Sequence, residues 1–268
     1  MKWLPYVLLT GLLSVPLLFH MKKEAAKHRL IKQTLSFDKL PEAFDGCKVF
    51  FVSDLHKRLI SKSLLDEVGT CDIVIIGGDL LESGVSTPQI KQNLQRISAC
   101  GPTYFVWGNN DVEVDEEILR DLLNKTGVQV LENSGAIISR HTDALFIAGG
   151  TEPLEVEQYH HLSKQASDYP FSIFVCHFPQ AFKQLPVKHP FSFMLGGHTH
   201  GGQIRLLGLS VARHGSIQQK QQAIELISNG YGTSKLPLRL GALPEAHLFT
   251  LRAGLPSIQP QVIYQFED

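Results

Sequence analysis

Seven side chains able to bind a metal ion stand at the ends of apolar runs. Asp54 and His56 follow KVFFVS, Asp79 follows IVIIGG, and Asn109 follows YFVWG. His177 follows FSIFVC, and His198 and His200 follow FSFMLGG. Carboxylate oxygens, an amide oxygen and imidazole nitrogens together suit a divalent metal such as Mn²⁺, Fe or Zn²⁺. Five separate strand-like runs each deliver such a residue at the C-terminal end. In open α/β sheets the site lies outside the carboxyl ends of the strands. Residues that span most of the chain can therefore converge.

Local spacing adds to this. Asp54 and His56 are two apart, so in extended chain both point to one side and can meet one ion. Gly77 and Gly78 before Asp79 allow a tight turn and a close approach. Taken singly these are ordinary features: D-x-H arises by chance, Gly-Asp and Gly-Asn are turn chemistry, and His177 reads as a hydrogen-bonded core histidine. The segment GGHTHGG is different. His198 and His200 share a face, and Gly196, Gly197, Gly201 and Gly202 clear space around them. Two such imidazoles are costly unless they bind something.

The elements that must position these residues alternate. VFFVS leads to a helix near Ser61–Val68, which Ser61 or Ser63 can cap. DIVIIGG leads to a helix that Thr87-Pro88 starts, since proline suits the first helical position. TYFVWG leads to DEEILRDLLNK, whose acidic first turn complements the helix dipole and which Gly127 ends. Then come the short strands VQVL, AIIS and ALFIAGG, a helical patch at 155–165, and FSIFVC and FSFMLGG. The remainder, from GGQIRLLGL to HLFTLR, reads as strand-rich. Helices outside two sheets, an α/β sandwich, is the architecture this order implies.

Composition sets outer limits. The 268 residues suffice for one large domain. The 25 Lys+Arg balance 26 Asp+Glu, so no nucleic-acid partner is expected. Cys47, Cys71, Cys100 and Cys176 border apolar runs without a C-x-x-C pair and read as buried free thiols. From Trp3 to Phe19 the chain is uncharged, then meets Lys22, Lys23, Lys27 and Arg29. This predicts an N-terminal transmembrane helix or uncleaved signal over 1–20, a juxtamembrane link and lead-in strand over 21–45, and the main domain over 46–268. The basic cluster places the catalytic domain of a single-pass cell-membrane protein on the cytoplasmic face.

The ordered set D-x-H, G-D, G-N-x-D, H, G-H-x-H resembles the calcineurin-like metallophosphoesterase superfamily, over about Lys48 to Leu251. GGHTHGGQIRL and YGTSKLPLRLG look like its membrane-associated bacterial branch, which includes enzymes that cleave lipid-linked nucleotide pyrophosphates. The resemblance implies a four-layer α/β/β/α sandwich with two divalent metal ions. Asp54, His56 and His200 would hold one, Asn109, His177 and His198 the other, and Asp79 would bridge them. Two ions about 3.5–4 Å apart form a clamp for phosphoryl chemistry, and a bridging hydroxide would attack phosphorus.

The chain departs from the family at one place. Most members read G-N-H-[DE]; here Gly108-Asn109-Asn110-Asp111 stands instead. Asn110 and Asp111 are the candidate catalytic residues. Asn110 cannot give up a proton, although its amide can donate a hydrogen bond. General acid catalysis is worth about 10²–10⁴-fold and matters most for poor leaving groups. The expected activity is therefore hydrolysis of phosphodiesters or pyrophosphates with good leaving groups, on membrane-proximal or lipid-linked substrates if the anchor holds. The alternative is a catalytically weak metal-binding scaffold of the same fold. Lys235 and Arg239, in GTSKLPLRL, read equally as phosphate or head-group contacts and as part of a surface loop.

Overall fold

The structure, a computed structural model, describes residues 4–113, 115–152 and 155–266, and within the first helix the side chains from Ser14 onward. Strands that read as unbroken apolar runs are buried on both faces, as strands covered by other layers must be. β2 (Lys48–Val52), β3 (Ile73–Ile76) and β4 (Thr103–Phe105) lie parallel and side by side. β5 (Gln129–Val130) extends them. β12 (Ala246–Ala253) pairs antiparallel with β2 on the other side.

The expected lead-in strand, β1 (His28–Phe37), lies inside this sheet. It runs parallel to β12, with β13 (Ser257–Ile258) and β14 (Val262–Phe266) antiparallel on its far side. The second sheet has the order β10 (Ser216–Lys220), β11 (Ala223–Ile227), β9 (Phe193–Gly196), β8 (Ser172–Cys176), β7 (Asp143–Gly150), β6 (Ser134–Arg140). Its four inner strands, β11, β9, β8 and β7, are parallel.

Alternation of side chains across each strand sorts them into separate cores. Phe50, Val52, Val74 and Ile76 pack under α2 (Lys62–Val68), α3 (Thr87–Ser98) and α4 (Glu116–Lys125). Val49, Phe51, Ile73 and Ile75 face Ile147, Ile173, Val175 and Leu195 of the other sheet. Phe146, Phe174 and Met194 pack under α5 (Val156–Ala166). The helix starts follow their caps: Ser61 Oγ accepts from the Leu64 N–H at 3.0 Å, and the Asp115 carboxylate accepts from the Glu117 N–H at 3.0 Å. The four cysteines are buried and free.

The first helix, α1 (Leu4–Ala26), corrects an expectation. Among the described residues no helix is long and apolar enough to cross a membrane. This overturns the single-pass anchor at the cell membrane and, with it, the cytoplasmic orientation; Met1 to Trp3 lie outside the described residues. The physical reason lies in the helix itself. Its uncharged stretch ends at Phe19, and His20, Lys22, Lys23 and Glu24 share the same helix, so the apolar part falls short of the about 20 residues a span requires. Its last turns instead dock on the domain. Met21 and Ala25 are buried, and the Met21 carbonyl accepts from the Arg239 N–H at 3.1 Å. The support that a membrane anchor lent to a membrane-proximal substrate falls with it.

Candidate metal centre

The parallel strands bring the sequence-predicted residues to one edge of the two sheets. Asp54 and His56 follow β2, Asp79 follows β3, His177 follows β8, and His198 and His200 follow β9. They gather into two trios, Asp54 with His56 and His200, and Asp79 with His177 and His198. Within each trio the ligating atoms lie within 4.8 Å of one another. Asp79 links the two. Its Oδ2 is 3.3 Å from His177 Nε2 and 3.7 Å from His56 Nε2. Asp54 Oδ1 likewise lies 3.3 Å from His200 Nε2 and 4.0 Å from His177 Nε2.

The backbone is bent hard to achieve this. Asp54, His56, Asp79, His198 and His200 all take positive φ, at 56°, 51°, 50°, 67° and 49°. Each such residue costs roughly 1–3 kcal/mol and persists only where its surroundings hold it. The turns fold the side chains back over the strand ends. Glycine lets neighbouring backbone come close enough to hold them. A Cβ on Gly108 would stand 2.3 Å from Asp79 Oδ1, and one on Gly197 2.5 Å from Asp54 Oδ2. The glycines around His198 and His200 thus admit partners rather than leave open space.

Hydrogen bonds set which atoms are offered. His177 Nδ1–H donates to the Gly77 carbonyl at 2.9 Å, so Nε2 is the nitrogen that offers a lone pair once its proton is lost. That Nε2 is buried and has no hydrogen-bond partner. The Nε2 atoms of His56 and His200 face each other at 3.0 Å. Asp54 accepts from Ser53 Oγ at 2.5 Å and from the His198 N–H at 3.0 Å. Asp79 Oδ1 accepts from the Asn110 N–H at 2.8 Å. A dry cluster of acceptors and an orphaned imidazole nitrogen is what a pair of divalent cations would satisfy.

Electrostatics agree. Burial works against the charge on His177, but the Asp79 and Asp54 carboxylates outweigh it and raise the imidazole to about 9 in the metal-free protein. Burial, helped by the Arg239 charge, pushes His200 down to about 4, so it is neutral and able to ligate. Burial also lowers His198, reinforced by His177. Burial works against ionisation of Asp54, yet the three imidazoles around it hold its carboxyl below the usual range.

Asn109, Asn110 and Asp111 follow β4 beside Asp79. Asn109 is exposed, and its amide donates to Asn110 Oδ1 at 2.9 Å. The Asn110 amide donates to Glu113 at 2.6 Å on the rim. Asp111 is fully buried and does not reach the opening. It accepts from the N–H groups of Asp79 and Gly108, each at 2.8 Å, and of Leu81 at 3.3 Å. It is a positioning residue that holds the turn under Asp79. Burial and the nearby Asp79 charge raise it to about 7.

Sequence reasoning missed two supports. Glu82 places a carboxylate oxygen 3.0 Å from His56 Nδ1, although the angle falls short of a hydrogen bond; its place three residues after Asp79 was the available signal. Arg239 is fully buried, which removes both readings of it as a surface or phosphate contact. Its guanidinium donates to the carbonyls of Gly232 (2.6 Å), Asn229 (2.8 Å), Ala242 (2.9 Å) and His200 (3.3 Å). It also lies 3.3 Å from His200 Nδ1. Among the described residues it makes no ion pair; it is a staple for the loops behind the first trio.

Comparison with known proteins agrees with this geometry. Residues 47–228 match the calcineurin-like phosphoesterase superfamily domain. The uncharacterized protein YpbG of Bacillus subtilis is 41% identical over 207 residues, 76% of this chain and 80% of that protein. Phosphodiesterase YaeI of Escherichia coli is 29% identical over 189 residues, 66% of this chain and 68% of that one. Among solved structures, the NAD nucleotidase of Haemophilus influenzae superposes with a TM-score of 0.56 at 12% identity, over 80% of this chain. This chain spans 49% of that nucleotidase's length, and at such identity the likeness concerns the fold alone. With its match over residues 47–228 and the ligand order that brings both trios together, the chain belongs to the calcineurin-like phosphoesterase superfamily.

Proposed function

We propose that this chain is a hydrolase of phosphodiester or pyrophosphate bonds that depends on two divalent metal ions. The observation that carries the reading is the pair of trios joined through Asp79. Asp54, His56 and His200 would hold one ion, His177 and His198 the other, and Asp79 would serve both, with Asn109 at the rim of the second. When bound, such ions polarise a phosphoryl group and lower the pKa of nearby water.

The chain's own residues do the rest. Ser53 and the His198 N–H orient the Asp54 carboxylate. The Gly77 carbonyl fixes the His177 tautomer. Asp111 and the Asn110 N–H hold Asp79. Asn110, where family members carry a histidine, offers a hydrogen bond but no proton, so substrates whose leaving group departs as a stable anion are favoured.

The test is a screen of protein stripped of metal and reloaded with Mn²⁺, Fe²⁺ or Zn²⁺. It should cover bis(4-nitrophenyl) phosphate, nucleotide pyrophosphates and alkyl phosphomonoesters. The first two should be hydrolysed in a metal-dependent way, and the alkyl esters poorly. Protein that binds the metals yet hydrolyses none of these would refute the reading.

A further inference from the structure

Two cavities flank the trios, and they differ in charge. One, of about 260 Å³, is lined by Trp107, Asn109, Glu116, Glu132 and Glu152. The other is a groove of about 530 Å³ that begins at Pro179 and Thr199. Thr199 lies between His198 and His200, and Pro179 follows Phe178, whose ring lies 4.3 Å from that of His198. Residues next to Phe178 and His198 in the chain therefore form part of the groove's wall, which places it beside the second trio. Its size falls in the range of small-molecule sites.

The groove's walls suit an organic group. Phe182, Leu185, Val187 and Val211 line it. Val187 is 73% exposed and Val211 102% exposed, an apolar surface left in water beside a polar site. Three cations line it as well. Lys220 is neutralised by Glu225 at 2.5 Å, but Lys183 and Arg213 form no ion pair among the described residues. The Nδ1 of His189, also in the lining, is buried without a hydrogen-bond partner. The acidic cavity on the opposite side would repel an anionic substrate; the groove would attract it.

We propose that this groove is the subsite for the organic part of the substrate, and that Lys183 and Arg213 select substrates bearing a second phosphate on that part. The inference rests on the proposed hydrolase function, but it can be read by binding alone. The probes are AMP and two doubly phosphorylated nucleotides, ADP and adenosine 3′,5′-bisphosphate, titrated calorimetrically into the full chain. Wild type should bind at least one of the two about tenfold or more tightly than AMP. The Lys183→Ala/Arg213→Ala double variant should lose that preference and keep its AMP affinity. Both side chains are exposed, so the variant should fold, which its melting temperature would check. A wild type with no preference, or a double variant that retains it, would overturn the inference. Hydrolysis of bis(4-nitrophenyl) phosphate by metal-loaded wild type is measured alongside. Failure of wild type in that assay would count against the hydrolase reading, while the binding ratio still decides the groove.

Discussion

The two trios use the same donor chemistry in different surroundings. Asp54, His56 and His200 are all buried, with Glu82 against one imidazole and the Arg239 guanidinium against another. Asp79 and His177 are buried too, but His198 is only half-buried and packs against Phe178. The first set is held from behind by the protein; the second is open on the side where a substrate would come. If two ions bind as proposed, the sealed trio would keep its ion and the open one would be the site accessible to substrate. The sealed site should accordingly bind Mn²⁺ more tightly than the open one.

Changes at the shared residue should break this comparison most severely. Asp79→Asn removes a carboxylate that lies within 4 Å of imidazoles from both trios. Turnover of bis(4-nitrophenyl) phosphate should fall by about 10³-fold or more, the scale of losing a preorganised charge, with circular dichroism unchanged. Next, Arg239→Met should cost about 3–5 kcal/mol in urea unfolding, as for other buried charged groups whose partners are left unpaired. In the variant that still folds in mild conditions, loss of Mn²⁺ should be confined to the sealed site.

Asn110→His addresses the open side. It should raise the rate on alkyl esters by about 10²-fold and barely change it on nitrophenyl esters; a uniform change across leaving groups would remove the role assigned to Asn110. Glu82→Gln should weaken Mn²⁺ binding at the sealed site by about tenfold, as loss of an outer-shell carboxylate does. The pH dependence follows from His177. Its pKa is raised from 6.5 to about 9 in the metal-free protein. The stability this provides is complete below 6.5 and is lost as pH rises through 9. Metal must displace the same proton, so Mn²⁺ affinity should rise with pH over that window, by up to about tenfold per unit. Melting temperature without metal and calorimetry with Mn²⁺ would show the opposite trends.

What was legible in the sequence follows from which forces are local. Apolar runs ending in Asp or His located the six residues that gather in the two trios, because parallel strands must end at the same edge. The cap at Ser61, the proline at position 88 and the acidic first turn of DEEILRDLLNK located the helices. Pairing over long distance was not legible: β1 reads as an isolated alternating strand, yet its neighbour β12 lies some two hundred residues on. Arg239 illustrates the same limit. An arginine among leucines and prolines reads as a surface or phosphate contact, and only the convergence of five loop carbonyls explains its burial. The apolar N-terminus read as a membrane span because hydropathy does not show that the end of the helix docks on Arg239 and buries Met21. Asp111 read as catalytic from its place in the motif, whereas its hydrogen bonds go to the backbone beneath Asp79.

The central claim is that two adjacent sites share Asp79. Metal-free protein titrated with Mn²⁺ and followed by electron paramagnetic resonance tests it directly. The account predicts two ions per chain, bound with unequal affinity, and a spin-coupled spectrum that Asp79→Asn converts to that of isolated ions. A single equivalent, or two ions with an uncoupled spectrum in wild type, would contradict it.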